Sequence, residues 1–151
     1  MMLRNSLNDA LKEAMRNKDK QAISTLRLIL AALKDRDIAA RGEGSDPIGE
    51  EAVLEMLQKM IRQRRDSIEM YEKAGRTELA EREQSEIEII EKFLPKQMSS
   101  EEIEKIVEDL IAELGADSIK DMGKVMGALK GKYAGTMDFG KASGVVKAKL
   151  V

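Results

Sequence analysis

Apolar residues recur at intervals of three and four along almost the whole chain, and no segment alternates polar with apolar at every second position. A period near 3.6 residues marks amphipathic helices; a period of two marks half-buried strands. The chain is thereby restricted to an all-α fold. Only two prolines and four aromatics among 151 residues agree with that, since sandwiches and barrels need more of both.

Leu3, Leu7, Ala10, Leu11, Ala14 and Met15 predict a first helix over 2–17. Asp19 can cap a second, whose stripe of Ala22, Ile23, Leu26, Ile29, Leu30 and Leu33 carries it to Arg41. Gly42 to Pro47 reads as a loop. A long third helix over 49–74 carries Val53, Leu57, Met60, Ile61, Ile68 and Tyr71, and Gly75 stops it. A fourth over 76–93 has Leu79, Ile87, Ile90 and Leu94 on one side. So short a turn between them predicts an antiparallel hairpin. Pro95 breaks the chain, and Ser99 with Glu102 forms a capping box for a fifth helix ending at Gly115. Asp117-Ser118 opens a sixth, Gly131 to Met137 is expected to be a loop, and Asp138 caps a last helix. No internal repeat is evident at this level. The expected organisation is an N-terminal helical subdomain over 1–94 and a C-terminal three-helix tail over 95–151.

The chain has no His, Cys or Trp. Thiol nucleophiles, His bases, disulfides and His/Cys zinc sites are therefore impossible within it. It also lacks the phosphate-binding G-x-x-x-x-G-K-[ST] loop, the G-x-G-x-x-G turn and the G-x-S-x-G elbow. No autonomous catalytic site, metal site or cofactor site is predicted. The opening run from Met1 has no apolar targeting core, and the longest apolar run, Leu28 to Leu33, is far too short to span a bilayer. These features, with the lack of cysteine, lead to the expectation of a cytoplasmic protein with no membrane partner.

Charge is uneven. Residues 1–75 carry a net +1, residues 76–114 a net −7, and residues 115–151 a net +4. The six glutamates between Glu78 and Glu91 are expected to be mostly solvated or ion-paired. Arg64 falls near the apolar stripe of its helix. It is expected to be half-buried against a glutamate of the fourth helix, with phosphate contact as the alternative. The basic tail is the more distinctive region. Gly123 and Gly127 stand four apart in a predicted helix, where each costs about 1 kcal/mol against Ala. They are read as close-packing glycines that admit another backbone, either a neighbouring helix or a nucleic-acid strand. Lys124, Lys130, Lys132 and Lys141 are the candidate phosphate contacts, with Lys147 and Lys149 at the rim. Tyr133 is a candidate for stacking on a base.

The block from Met122 to Gly135 and the segments Gln63 to Ser67, Ala74 to Arg76 and Phe93 to Ser99 resemble the GatB/YqeY family. The tail is similar to the C-terminal tail of the B subunit of the glutamine-dependent aspartyl/glutamyl-tRNA amidotransferase; the rest is similar to stand-alone YqeY proteins. The resemblance implies an all-helical protein whose tail contacts tRNA or aminoacyl-tRNA. It also implies association with carbon–nitrogen ligase chemistry that uses glutamine as amido donor, carried by other domains. Gly127 departs from the pattern by standing where the amidotransferase tail has a lysine. The expected function is that of an accessory tRNA- or RNA-binding protein. The alternative is a helical adaptor docking on a synthetase or an amidotransferase-like partner.

Overall fold

A computed structural model describes residues 2–151, and Met1, where the stretch read for a targeting signal begins, lies outside them. Seven α-helices and one 3-10 turn are the regular elements among the described residues, with no strand. The chain divides into two compact units, the first running through Leu94 and the second from Pro95 to Val151.

The first unit holds α1 (Met2–Arg16), α2 (Lys20–Gly42), α3 (Glu50–Lys73) and α4 (Thr77–Glu91). Leu7, Ile29, Val53, Leu57, Ile87 and Ile90 are fully buried and come from all four helices. Phe93 and Leu94 close the unit against that core. The α3–α4 connection is short and turns at Gly75, whose φ of 72° lies in the left-handed region. These two helices therefore fold back as the hairpin that their spacing predicts.

Helices α1, α2 and α3 end alike. At each end one residue takes a left-handed φ, and the next amide donates to the carbonyl five residues back: Asp19 to Ala14, Ser45 to Ala40 and Arg76 to Tyr71. The left-handed residues are Lys18, Gly44 and Gly75. Glycine fills that place without cost, whereas a side chain there is strained by roughly 1–2 kcal/mol. Lys18→Gly is therefore expected to stabilise the first unit by about 0.5 to 1 kcal/mol, the gain being reduced by the greater freedom of glycine in the unfolded chain. Urea unfolding of the two proteins measures the difference.

The second unit holds α5 (Ser100–Leu114), a 3-10 turn at Ile119–Asp121, α6 (Met122–Tyr133) and α7 (Phe139–Leu150). The Ser99 hydroxyl accepts from the Glu102 amide at 3.1 Å, and the Glu102 carboxylate accepts from the Ser99 amide at 3.2 Å. That backbone bond holds the Glu102 carboxyl below its ordinary range. Ile103 and Val107 of α5 meet Val125 and Leu129 of α6 and Ala142 and Val146 of α7 in the core, with Met137 from the connecting loop.

Two expectations are corrected here. The sixth helix is entered through the 3-10 turn rather than directly from Ser118, and it runs on to Tyr133. Lys130, Gly131 and Lys132 are therefore helical, and the loop is confined to residues 134–138. Leu129 and Tyr133, four apart on the inner side, hold the glycine-containing turn against the core. The loop is tethered: the Met98 amide donates to the Thr136 carbonyl at 2.9 Å, and the Gln97 side-chain amide donates to the Gly135 carbonyl at 2.7 Å.

Candidate nucleic-acid interface

Helix α6 turns Val125 and Leu129 inward, both fully buried. On the opposite side Gly123, Gly127 and Gly131 are exposed. At a spacing of four residues each glycine sits about 40° round from the last, so the three form one shallow strip. A Cβ built on any of them meets nothing within 4 Å. The neighbouring-helix reading of Gly123 and Gly127 is thus corrected: within the described residues no helix approaches them. The sequence has glycine where alanine would fit and would favour the helix.

Lys124 borders this strip on one side and Lys130 on the other, about 120° apart around the helix. Lys132 lies about 160° from Lys130, on the other side of the helix. Tyr133 is half-buried and packs on the core. Its carbonyl accepts from the amides of Thr136 and Met137, both at 3.1 Å. The core covers part of this side chain, which reduces the face open to a base.

Helix α7 repeats this pattern. Asp121-Met-Gly-Lys-Val-Met-Gly-Ala-Leu-Lys-Gly-Lys-Tyr133 and Asp138-Phe-Gly-Lys-Ala-Ser-Gly-Val-Val-Lys-Ala-Lys-Leu150 align without a gap at an offset of 17 residues. Both helices begin at the second position of the block and end at its last. The expectation of no internal repeat is corrected. The repeat escapes a search for apolar periodicity because its buried positions, Val125 and Leu129 in one copy and Ala142 and Val146 in the other, are apolar at a spacing of four like those of the other helices. What recurs is exposed: Gly123 and Gly140, Lys124 and Lys141, Gly127 and Gly144, Lys130 and Lys147. On α7 the strip of Gly140, Gly144 and Ala148 is bordered by Lys147 and Lys141.

The two copies differ at their ends. The Asp138 carboxylate caps α7 by accepting from the Gly140 and Lys141 amides at 2.9 and 3.3 Å. Asp121, its counterpart, accepts instead from the Asp117 amide at 3.1 Å. Lys132 is exposed, whereas Lys149 is drawn to α5, 2.6 Å from Glu108 and 3.6 Å from Glu104. The hydrogen bond to Glu108 raises the Lys149 ammonium above its ordinary range. Lys149 is therefore engaged by α5 within the protein. Among the described residues Lys124, Lys130, Lys132, Lys141 and Lys147 enter no ion pair.

No helix among the described residues is long and apolar enough to cross a membrane, and no group of three or more acidic side chains there could hold a metal ion. In the first unit Arg64 is half-buried against Glu86, as its place near the apolar stripe predicts.

Comparison with known proteins identifies relatives. The protein described as altered inheritance of mitochondria protein 41, mitochondrial, from Lachancea thermotolerans is 40% identical over 111 residues, 72% of this chain and 58% of that protein. Its namesake from Saccharomyces cerevisiae is 30% identical over 132 residues, 83% of this chain and 69% of that protein. The one from Eremothecium gossypii is 34% identical over 58% of this chain, which spans 46% of its length. The chain thus covers between about half and two thirds of these relatives. Their names place them in mitochondria, and this overturns the expectation of a cytoplasmic protein. The sequence model of the family described as Yqey-like protein matches residues 4–150, nearly end to end. The chain belongs to the YqeY-like family.

Proposed function

We propose that the chain is an accessory protein that binds tRNA through the glycine strips and bordering lysines of α6 and α7. Any amide-transfer chemistry would reside in separate subunits. The observation that carries this proposal is the repetition of an exposed pattern. Packing does not require glycine at 123, 127, 131 or 144, because each position is open to solvent on the side where a Cβ would point. Stability disfavours it, by about 1 kcal/mol for each helical glycine. A bare strip lets a sugar–phosphate backbone approach the helix closely, and lysines on both margins supply the charge it attracts.

The test pairs lysine and glycine variants in a tRNA titration at two salt concentrations. Three or four phosphate contacts give micromolar affinity and a log–log salt slope of about −0.9 for each contact. Changing Lys124, Lys130, Lys141 and Lys147 together to Ala is expected to flatten that slope by about one unit for each phosphate no longer neutralised and to weaken binding at least tenfold. Gly127→Leu adds a side chain where there is room, so the protein should melt no lower than the parent while its tRNA affinity falls. Titration curves of both variants that coincide with the parent would remove the proposal.

A further inference from the structure

We propose that a groove in the first unit, between the end of α1 and the start of α2, docks an acidic amphipathic helix from a partner protein. The groove has a volume of about 790 Å³. Met15, Ile23 and Leu28 supply its apolar surface. Met15 is 50% exposed and Leu28 46%, and the two line one groove instead of standing apart on the surface. Methionine suits such a surface because its unbranched thioether adapts to the shape laid against it.

The charge around the groove selects the occupant. Lys18, Lys20 and Arg27 line it, and no carboxylate does. None of the three cations is in an ion pair among the described residues. The one acidic residue in the intervening turn, Asp19, is engaged in capping α2, accepting from the Ala22 amide at 3.1 Å. Lys18 adds an independent sign. It occupies a left-handed helix end where α2 and α3 have glycine, and so it keeps an ammonium group beside the groove in a strained backbone conformation. A concave apolar floor with a wholly cationic margin complements a helix with apolar residues at i, i+4 and i+7 and carboxylates on either side. The proposal is independent of tRNA binding, because it concerns the first unit and the lysine strips belong to the second.

The test uses the full chain with carbon-13-labelled methionine methyls, titrated with a synthetic amphipathic peptide of about 18 residues that carries Leu on one face and Glu on the other. Saturable movement of the Met15 methyl signal at tens to hundreds of micromolar peptide is expected, with the Glu→Lys peptide at least about tenfold weaker. Leu28→Asp, at an exposed position, should abolish the movement. Lys18→Gly should weaken binding about threefold while raising the melting temperature. The proposal is overturned if the Met15 signal stays still at millimolar peptide or if both peptides bind alike. It is equally overturned if the chain self-associates through this face, or if it binds anionic phosphatidylglycerol vesicles, with loss on Leu28→Asp, and not the peptide.

Discussion

Replacing Arg64 by Ala is expected to lower the stability of the first unit by about 3 kcal/mol, the range for removing one partner of a buried ion pair. The Arg64 side chain is 14% exposed and that of Glu86 12%. The Arg64 Nε donates to Glu86 at 2.8 Å, and its Nη1 donates to the Met60 carbonyl at 3.1 Å. Glu83 lies 3.9 Å from the same Nε. Removing the guanidinium leaves two neighbouring carboxylates partly desolvated with no cation between them. Arg64→Lys should lose roughly half as much, because a single ammonium cannot reproduce the planar fork that meets both a carboxylate and a carbonyl. Thermal melts of the three proteins should show it, at about 4–8 °C per kcal/mol for a unit of this size.

The same cluster gives a pH signature. Burial raises the Glu83 carboxyl above its ordinary range, and Glu86 repels it further, while Arg64 and Arg82 pull it back. The folded state therefore holds this proton more tightly than the unfolded chain. Stability falls as pH rises from the ordinary glutamate range through the raised value, and the penalty is complete above it. Glu83→Gln is expected to be neutral or stabilising by up to about 1 kcal/mol at pH 7. That difference should vanish in acid, where Glu83 is protonated in both the folded and the unfolded chain. A variant less stable than the parent at neutral pH would show that the ion pair with Arg64 outweighs desolvation.

Legibility from sequence follows the distance over which each feature is determined. The capping box at Ser99 and Glu102 is read correctly because both hydrogen bonds join residues three apart. The α3–α4 hairpin is read correctly because two apolar stripes with Gly75 between them leave no other packing. Arg64 is placed correctly because its neighbours Met60 and Ile68 fix which face it shares. Residues 131–133 are misread because Gly131 and Lys132 signal a loop locally, whereas the core contacts of Leu129 and Tyr133 keep them helical. Lys18 gives no sign of its left-handed conformation, since only glycine announces one. The repeated block across α6 and α7 is present in the sequence, but it shows only when the chain is aligned with itself on Gly and Lys rather than on apolar residues. Such an alignment adds Gly140 and Gly144 to the candidate surface and sets Lys147 beside them.

Asp37→Ala is the other large effect expected, a loss of about 2–3 kcal/mol. It concerns a contact that sequence does not disclose, because its partners lie 33 and 11 positions away. Arg4 of α1 donates to both Asp37 oxygens, at 2.7 and 2.8 Å, and to the Ile48 carbonyl at 2.9 Å. The Ile48 amide donates to Asp37 at 3.0 Å. One carboxylate and one guanidinium thus satisfy both backbone groups of Ile48 and hold the α2–α3 connection against α1. Both side chains are about one fifth exposed, so water screens the pair more than it screens Arg64 and Glu86. The hydrogen bond from Arg4 lowers the Asp37 carboxyl below its ordinary range, assisted by the bond from Ile48. A lowered value stabilises fully above the ordinary aspartate range, near pH 4, and the contribution is lost as pH falls through the folded value. The stability gap between parent and Asp37→Ala should therefore be constant from pH 7 to about pH 4 and close below that, opposite in sign to the slope that Glu83 imposes. Asp37→Asn keeps an acceptor for the Ile48 amide without the charge. It should fall between the two proteins at pH 7, with a gap to the parent that also closes in acid. Denaturant unfolding at stepped pH separates these outcomes. A gap that stays undiminished as the pH falls below the ordinary aspartate range and through the acid limb of the parent's own stability curve would assign the effect to shape and hydrogen-bond geometry rather than to charge.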